Sequence, residues 1–396
     1  MRIGIDLTAL WRSATGMENV AIEMTRALLR RDLENRYVLF FGGSVHPKLE
    51  EFAGQFEAIL APRWHDAQLK VAWFPRAMAA AKLDYLHFPV FPPPWNCPCP
   101  SGWTAHDASP WLFPETMKFK SRWYFKILGK RAAKIGRVLI TYTEAARRDL
   151  SECLRVRPES IHVIPPGVRS VFRQSRNPEA RRSLRDFYRL PERFVLFVGT
   201  LEPRKNLPRI LQAFRILRSQ YHFEPALVIV GRKGWRLDGL FAELKKHELA
   251  QSVYLTGYVP DEHLVALYEL ASLLIFPSLY EGFGLPCIEA MACGCPVVTS
   301  DRGALYEVTR GCAMHSDPED VAAIARAIWQ VNADEHLREQ LVANGLRHVA
   351  TFSWDRSADQ FFKILTRAVR GDQAHHPQDV DRRPRSETPS QMSLLP

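Results

Sequence analysis

Residues 277–300 read PSLYEGFGLPCIEAMACGCPVVTS, and their reading decides the fold. The run before them, Leu273–Phe276, is short and wholly apolar, as a strand buried on both faces of a parallel sheet must be. Gly282 and Gly284 then open a loop that lets backbone approach a ligand closely. Pro286 stands near a helix start, where its missing N–H costs nothing. The helix Leu285–Ala292 is followed by a second apolar strand, Pro296–Ser300. Strand, glycine loop, helix and strand make a βαβ unit, and such units place ligands at the carboxyl ends of their strands.

Working outward, the second half repeats this unit. Phe194–Gly199, Ala226–Gly231 and Val253–Thr256 join Leu273–Phe276 and Pro296–Ser300 as five buried strands. Asn206–Arg218, Gly239–Ala250, Asp261–Ala271 and Leu285–Ala292 are the helices between them. Asp317–Asn332 and Asp334–Phe352 close the domain, and Ser353–Arg370 carries Trp354, Phe361, Phe362, Ile364 and Leu365 on one helical stripe, so it packs. The first half alternates in the same way: strands at Arg2–Leu7, Tyr37–Gly42, Leu83–Val90 and Arg137–Thr143, helices at Gly16–Arg31, Ser121–Lys134 and Glu144–Leu154. The Pro-rich stretch Phe91–Pro100 is a surface connection. After HVIPPGV, the polar, Arg-rich run to Leu190 reads as an interdomain linker plus the entry to the second domain. The expected class is α/β, with two Rossmann-like, doubly wound parallel sheets facing a central cleft.

A chain of 396 residues with 46% apolar and 24% charged residues fits two folded domains and excludes a wholly disordered or collagen-like protein. No apolar run approaches the ~18 residues of a membrane span. MRIGIDLTAL enters a strand without a charged-then-apolar leader, which predicts a cytoplasmic protein. The net charge of +10 suits an anionic partner: nucleotide phosphate, membrane surface or nucleic acid. Seven cysteines fit reduced thiols. Cys97-Pro-Cys99 and Cys293-Gly-Cys295 are spaced too closely for a zinc knuckle and no His cluster follows either.

The chemistry concentrates at strand ends. Glu281 lies in the glycine loop and Glu289 about one turn into the helix whose free N–H groups favour phosphate. A carboxylate there can accept hydrogen bonds from a ribose diol; the spacing alone equally allows two surface glutamates beside a turn. Arg204 and Lys205 follow the strand Phe194–Gly199, with donors suited to a diphosphate; two exposed cations on a turn is the plainer alternative.

The segment EGFGLPCIEAMACGCPVV closely resembles the Glu-x7-Glu signature of retaining glycosyltransferases of family 4, which have the GT-B fold. VGTLEPRKNLPRILQAF (Val198–Phe214), VGRKGW (Val230–Trp235), LTGYVPDEHLVALYELAS (Leu255–Ser272), VIPPGV (Val163–Val168), TAHD (Thr104–Asp107) and ITYTEAARRDL (Ile140–Leu150) match in order, over roughly residues 2–370. The resemblance implies a division into 1–170, an acceptor-side domain, and 190–352, the nucleotide-sugar domain. Residues 353–370 form a helix packing back on the first domain, and 371–396 a disordered tail. It assigns His106, Glu281, Arg204 and Lys205 to catalysis. Gly16, Thr200, Arg232, Tyr258, Val259, Phe283, Gly284, Leu285 and Glu289 would bind the donor. Some members carry Arg where Thr200 stands, so phosphate neutralisation rests more on Arg204 and Lys205.

The implied reaction is hexosyl transfer, best mannosyl from GDP-mannose as in bacterial polysaccharide and lipopolysaccharide assembly, to a glycan or lipid-linked acceptor. No convincing Asp-x-Asp pair is present outside Asp379-x-Asp381 in the tail, so neither metal nor further cofactor is expected. Met117–Arg137 holds eight basic residues and no acidic one, interleaved with aromatics; a peripheral contact of 117–137 with an anionic bilayer and an ordinary basic outer face both fit. A sugar-nucleotide 2-epimerase of the same fold would lack the Glu-x7-Glu context. A nucleic-acid-binding protein would gather its basic residues in one stripe, whereas here they scatter over both domains, and no nucleic-acid partner is expected.

Overall fold

The computed structural model describes residues 1–10, 16–62, 73–116, 119–175, 177–232, 249 and 251–370. The expected helix Gly239–Ala250, the end of VGRKGW and the tail 371–396 lie outside the described residues. The N-terminal lobe runs β1 (Arg2–Leu7), α1 (Gly16–Arg31), β2 (Arg36–Phe41), β3 (Phe56–Leu60), α2 (Phe74–Ala80), β4 (Tyr85–Phe88) and β5 (Ser101–Thr104). It continues with α3 (Phe119–Tyr124), α4 (Lys130–Ile135), β6 (Val138–Thr141), α5 (Glu144–Leu154) and β7 (Ile161–Val163). Its seven strands order as β3-β2-β1-β4-β5-β6-β7, all parallel, with Ile5 paired to Leu39 on one side and His87 on the other.

A crossing segment leads to α6 (Pro178–Phe187), β8 (Phe194–Val198), α7 (Leu207–Tyr221), β9 (Ala226–Val230), β10 (Val253–Gly257), α8 (Asp261–Leu270) and β11 (Leu273–Phe276). Then follow α9 (Leu285–Ala292), β12 (Val297–Ser300), α10 (Gly303–Thr309), β13 (Met314–Ser316), α11 (Val321–Ala333), α12 (Glu335–Val349) and α13 (Trp354–Arg370). This six-stranded parallel sheet orders as β10-β9-β8-β11-β12-β13. Both sheets thus reverse direction between their first and fourth strands, and the crevice outside that reversal is where doubly wound folds bind ligands. The two doubly wound sheets are the GT-B architecture expected from the sequence.

Central strands are wholly apolar because both faces are covered: all five residues of β8 and of β9 are buried. The edges differ, and that is where sequence reading slipped. β10, expected to be buried, is a half-exposed edge strand with Leu255 at 44% exposure. β3 and β13 are edge strands as well, short or polar enough to give no apolar run. The presumed linker before Leu190 contains α6, capped by Asn177 and docked on α8 through Tyr188 Oη to His263 Nδ1 at 2.9 Å. No residue of α6 is fully buried, so it lacks the apolar stripe that announces a helix. The helix expected over Ser121–Lys134 is broken by a π turn at Phe125–Gly129.

The chain crosses between lobes twice, side by side. The Val168 amide donates to the Phe352 carbonyl at 3.3 Å, and Gly167 sits so close against Trp354 that any Cβ there would collide with its backbone. Beyond this point α13 lies on α1. Trp354, Phe361 and Leu365 join the N-terminal core, and Arg31 Nε donates to Asp359 Oδ1 at 2.6 Å.

Candidate active site

The loops after β8 and β11 meet at the reversal of the C-terminal sheet. Asn206, in the left-handed conformation at φ 65°, donates its Nδ2 to the carbonyls of Pro277 (3.0 Å) and Pro318 (2.6 Å). The Leu279 amide donates to the Arg204 carbonyl at 2.8 Å. These ties set the basic pair against the glutamate loop. Lys205 Nζ donates to Glu281 Oε1 at 2.5 Å and Arg204 Nη1 to Glu281 Oε2 at 3.0 Å, while Arg204 Nε reaches Glu202 Oε2 at 3.0 Å. Lys205 is only 8% exposed, its ammonium 4.7 Å from the Phe276 ring centroid.

Burial works against every charge here. It pulls the Lys205 ammonium down, against the opposing attraction of Glu281. For Glu281 burial pushes up, but Arg204 and Lys205 outweigh it and hold the carboxyl down to about 2. Burial likewise opposes the Arg204 charge and is outweighed, by Glu281 first and then by Asp107 and Glu202. Glu281 is therefore ionised at neutral pH and paired to both cationic side chains.

The glycines in the loop serve a different approach from the one expected. A Cβ at Gly282 would collide with the carbonyl oxygen of His106, so its close approach is to the opposite lobe's backbone. Gly284, at φ 105°, turns the chain into α9. Phe283 between them inserts its ring into the N-terminal core, 5.5 Å from Phe352 and 6.4 Å from Tyr142. Leu285, first residue of α9, lies against Gly16 at the start of α1. His106 follows β5; its Nδ1 pairs with the Tyr142 hydroxyl at 2.7 Å. Burial pushes its pKa down to about 4, against the pull of Asp107, so the ring is neutral.

Glu289 points to a partner the motif did not reveal. The carboxylate is 5% exposed and accepts from Arg169 Nη2 at 2.7 Å on Oε1 and from Tyr268 Oη at 3.4 Å on Oε2. Arg169 follows directly on the VIPPGV match; its place next to that segment was the one signal available. On the outer rim, the Leu201 amide donates to the Arg232 carbonyl at 3.1 Å, joining the loops that hold Thr200 and Arg232. The Arg232 guanidinium stands 4.6 Å from the ring of Tyr258, which is 54% exposed. Val259 belongs to the C-terminal core and is 4% exposed. Among the described residues no group of three or more His, Cys, Asp and Glu side chains converges to hold a metal ion.

Polar contacts close the cleft between lobes. Thr143 caps α5 and donates to the Gly282 carbonyl at 3.1 Å. Glu307 on α10 accepts from the Glu144 and Ala145 amides, both at 2.8 Å, so one lobe caps a helix of the other. Tyr280 Oη donates to Asp149 at 3.0 Å and accepts from the Ala108 amide at 3.1 Å.

Two doubly wound lobes, an Arg–Lys–Glu cluster at one sheet reversal and a helix N-terminus facing the other lobe define the two-lobed GT-B class of fold, with its charged residues in the cleft. Residues 182–348 match the family model of glycosyl transferases group 1, and residues 14–171 that of glycosyltransferase family 4. The chain is 30% identical over 361 residues to the O-antigen chain mannosyltransferase B of Escherichia coli, covering 87% of this chain and 94% of that one. It is 29% identical over 287 residues to the serotype-specific mannosyltransferase WbdA of Escherichia coli, 71% of this chain but only 34% of that protein. Among solved structures, sucrose-phosphate synthase from Thermosynechococcus elongatus superposes with a TM-score of 0.74 at 21% identity, covering 94% of this chain and all of that one. The chain belongs to glycosyltransferase family 4 and is a glycosyltransferase.

Proposed function

We propose that the protein transfers mannose from a nucleoside diphosphate sugar, best GDP-mannose, to a glycan or lipid-linked acceptor of cell-surface polysaccharide, with retention and without a metal ion. The full-length similarity to an O-antigen mannosyltransferase supports the sugar. The observation that carries the mechanism is the pair of cations on Glu281 at the sheet reversal. Transfer passes through a state with positive charge on the sugar and negative charge on the departing diphosphate. Arg204, Lys205 and the N-terminal amides of α9 oppose the second charge, as a metal would elsewhere. Glu281, ionised, cannot donate a proton to the leaving group; it accepts hydrogen bonds from the sugar hydroxyls and is a counter-charge to the oxocarbenium. Glu289 receives the ribose diol, and Thr200, Arg232 and Tyr258 border the base. Neutral His106 hydrogen-bonds the sugar from the other lobe. The acceptor oxygen attacks the anomeric carbon on the face the phosphate leaves, and its proton passes to the departing phosphate oxygen.

No helix among the described residues is long and apolar enough to cross a membrane. Peripheral contact at a cytoplasmic membrane face is the reading that fits residues 117–137, where Trp123, Ile127, Lys130 and Lys134 are all exposed. The test of the reaction is a donor panel in chelator. GDP-mannose should raise the melting temperature more than UDP- or ADP-sugars and support transfer with an α-linked product by NMR. Equal response to every nucleotide sugar, or transfer abolished by the chelator, defeats it.

A further inference from the structure

We propose that Arg169 is the positioning residue that orients and neutralises the Glu289 carboxylate for the donor ribose; this rests on the reading of Glu289 as the ribose ligand. Arg169 is 8% exposed and spans two acids, with Nη2 on Glu289 Oε1 at 2.7 Å and Nη1 on Asp261 Oδ2 at 2.5 Å. Its guanidinium lies 4.6 Å from the Phe172 ring, which fixes the plane of the fork. The residue comes from the interlobe crossing, one position after the Val168 to Phe352 hydrogen bond. Arg169 and Glu289 line one pocket with Asn19 of α1, Leu285 of α9 and Trp354 of α13, so the pair faces the space between the lobes.

A carboxylate this deeply enclosed gives up its charge unless a cation is beside it. Burial already pushes Glu289 above its ordinary value, and Arg169 is the largest force opposing that. The other groups around it are Asp261 and Tyr268 on α8 and Cys287 and Cys293 beside it, with Lys48 on the far side of Asp261 at 3.5 Å. None of them replaces the guanidinium. An ionised carboxylate can accept both hydroxyls of a vicinal diol, whereas a protonated one must spend one oxygen as a donor.

The test is GDP affinity of the purified full chain by calorimetry from pH 6 to 8.5. Each variant is read as its affinity ratio to wild type at the same pH, because the terminal phosphate of GDP itself gains negative charge as pH rises through about 6. Arg169→Met should bind at least ~10-fold more weakly at pH 6.5 and regain affinity as pH rises, because without the guanidinium the buried Glu289 carboxyl holds its proton and ionises only at higher pH. Arg169→Lys should recover most of the loss, and Arg169→Met combined with Glu289→Gln should be weak at every pH. A loss of equal size across the range means a merely structural role and overturns the proposal, as does wild-type binding by Arg169→Met. Should Arg169→Met lack a folded circular-dichroism spectrum, the neutral, polar Arg169→Gln decides: weakened binding that improves with pH supports positioning, and an equal loss at every pH overturns it. Glu289→Ala tests the underlying reading separately. Unchanged GDP affinity there defeats the ribose assignment, while weakened affinity beside unaffected Arg169 variants defeats only the role given to Arg169.

Discussion

Lys205 Nζ lies 2.5 Å from Glu281 Oε1, and this ion pair joins a group expected on the diphosphate to a group expected on the sugar. With Arg204 on the other carboxylate oxygen, the unliganded site stores its own counter-ions. On the proposed reading, an incoming diphosphate shares or takes the two cations and releases the Glu281 carboxylate toward the sugar hydroxyls. Charge that would be costly to bury alone is thus kept balanced until the donor arrives.

Breaking this cluster from either side should cost rate and fold together. Glu281→Ala and Lys205→Ala should each lower transfer at saturating donor by at least ~10²-fold, as loss of one electrostatic stabiliser does. Glu281→Ala also leaves two buried cations without their shared anion and should unfold earlier, by about 3–5 kcal/mol in a denaturant titration. Initial rates and urea midpoints read both effects, and unimpaired turnover in either variant removes the assignment.

Glu307 holds the lobes together by capping α5 from across the cleft. Glu307→Ala strips two amides of their acceptor, a loss of about 1 kcal/mol charged against the closed arrangement. The closed-to-open ratio should fall by roughly fivefold, seen as a larger radius of gyration by small-angle X-ray scattering without donor and a smaller difference with GDP-mannose added. An unchanged scattering profile in both conditions would show that Glu307 does not govern closure.

What the sequence made legible was whatever has a local signature. The wholly buried strands β8, β9 and β11, the glycine loop and the glutamate spacing follow from short-range pattern, and so the sheet reversal and the residues at it could be named. Arg169 could not, since its partners Glu289 and Asp261 lie 120 and 92 residues away and nothing local marks a buried ion pair. Glu307 is hidden for the same reason, an acid on an ordinary helix until the other lobe's amides reach it. α6 and the edge strands β3, β10 and β13 escaped or were misjudged because half-exposed elements carry mixed residues, and periodicity is informative only where burial is one-sided or complete.

The outward face of α3 and α4 should bind anionic bilayers. Trp123 is 52% and Ile127 53% exposed, in one segment with the exposed Lys130 and Lys134. Apolar anchors among basic residues suit a headgroup layer, with each lysine near an anionic surface contributing about 1 kcal/mol. In vesicle sedimentation, binding should require anionic lipid and weaken with salt. Trp123→Ser with Ile127→Ser should reduce it even at low salt, while Lys130→Ser with Lys134→Ser should weaken it and make the salt dependence shallower. Equal sedimentation with neutral vesicles would refute the surface.

His87 should make the protein sensitive to mild acid. The ring is 4% exposed between Tyr85 Oη at 3.1 Å and Thr104 Oγ1 at 2.8 Å, with Phe361 of α13 edge-on at 4.8 Å. Burial pushes its pKa down to about 3, with nearby His106 adding to the shift. In the unfolded chain the same imidazole takes a proton near pH 6.5. Between these limits the unfolded state binds a proton that the native state refuses, so stability is whole above pH 6.5 and falls as pH drops toward 3. The slope from this group is about 1.4 kcal/mol per pH unit. Glu281 adds its own loss only lower, from about 4.5 toward 2, because its carboxylate is the favoured native form. His87→Gln should therefore be less stable at pH 7, where a good pair of hydrogen bonds is lost, yet show a shallower decline between pH 6.5 and 4.5. Urea unfolding at half-unit steps separates the two contributions, and parallel curves for variant and wild type would mean that His87 is already protonated in the native core.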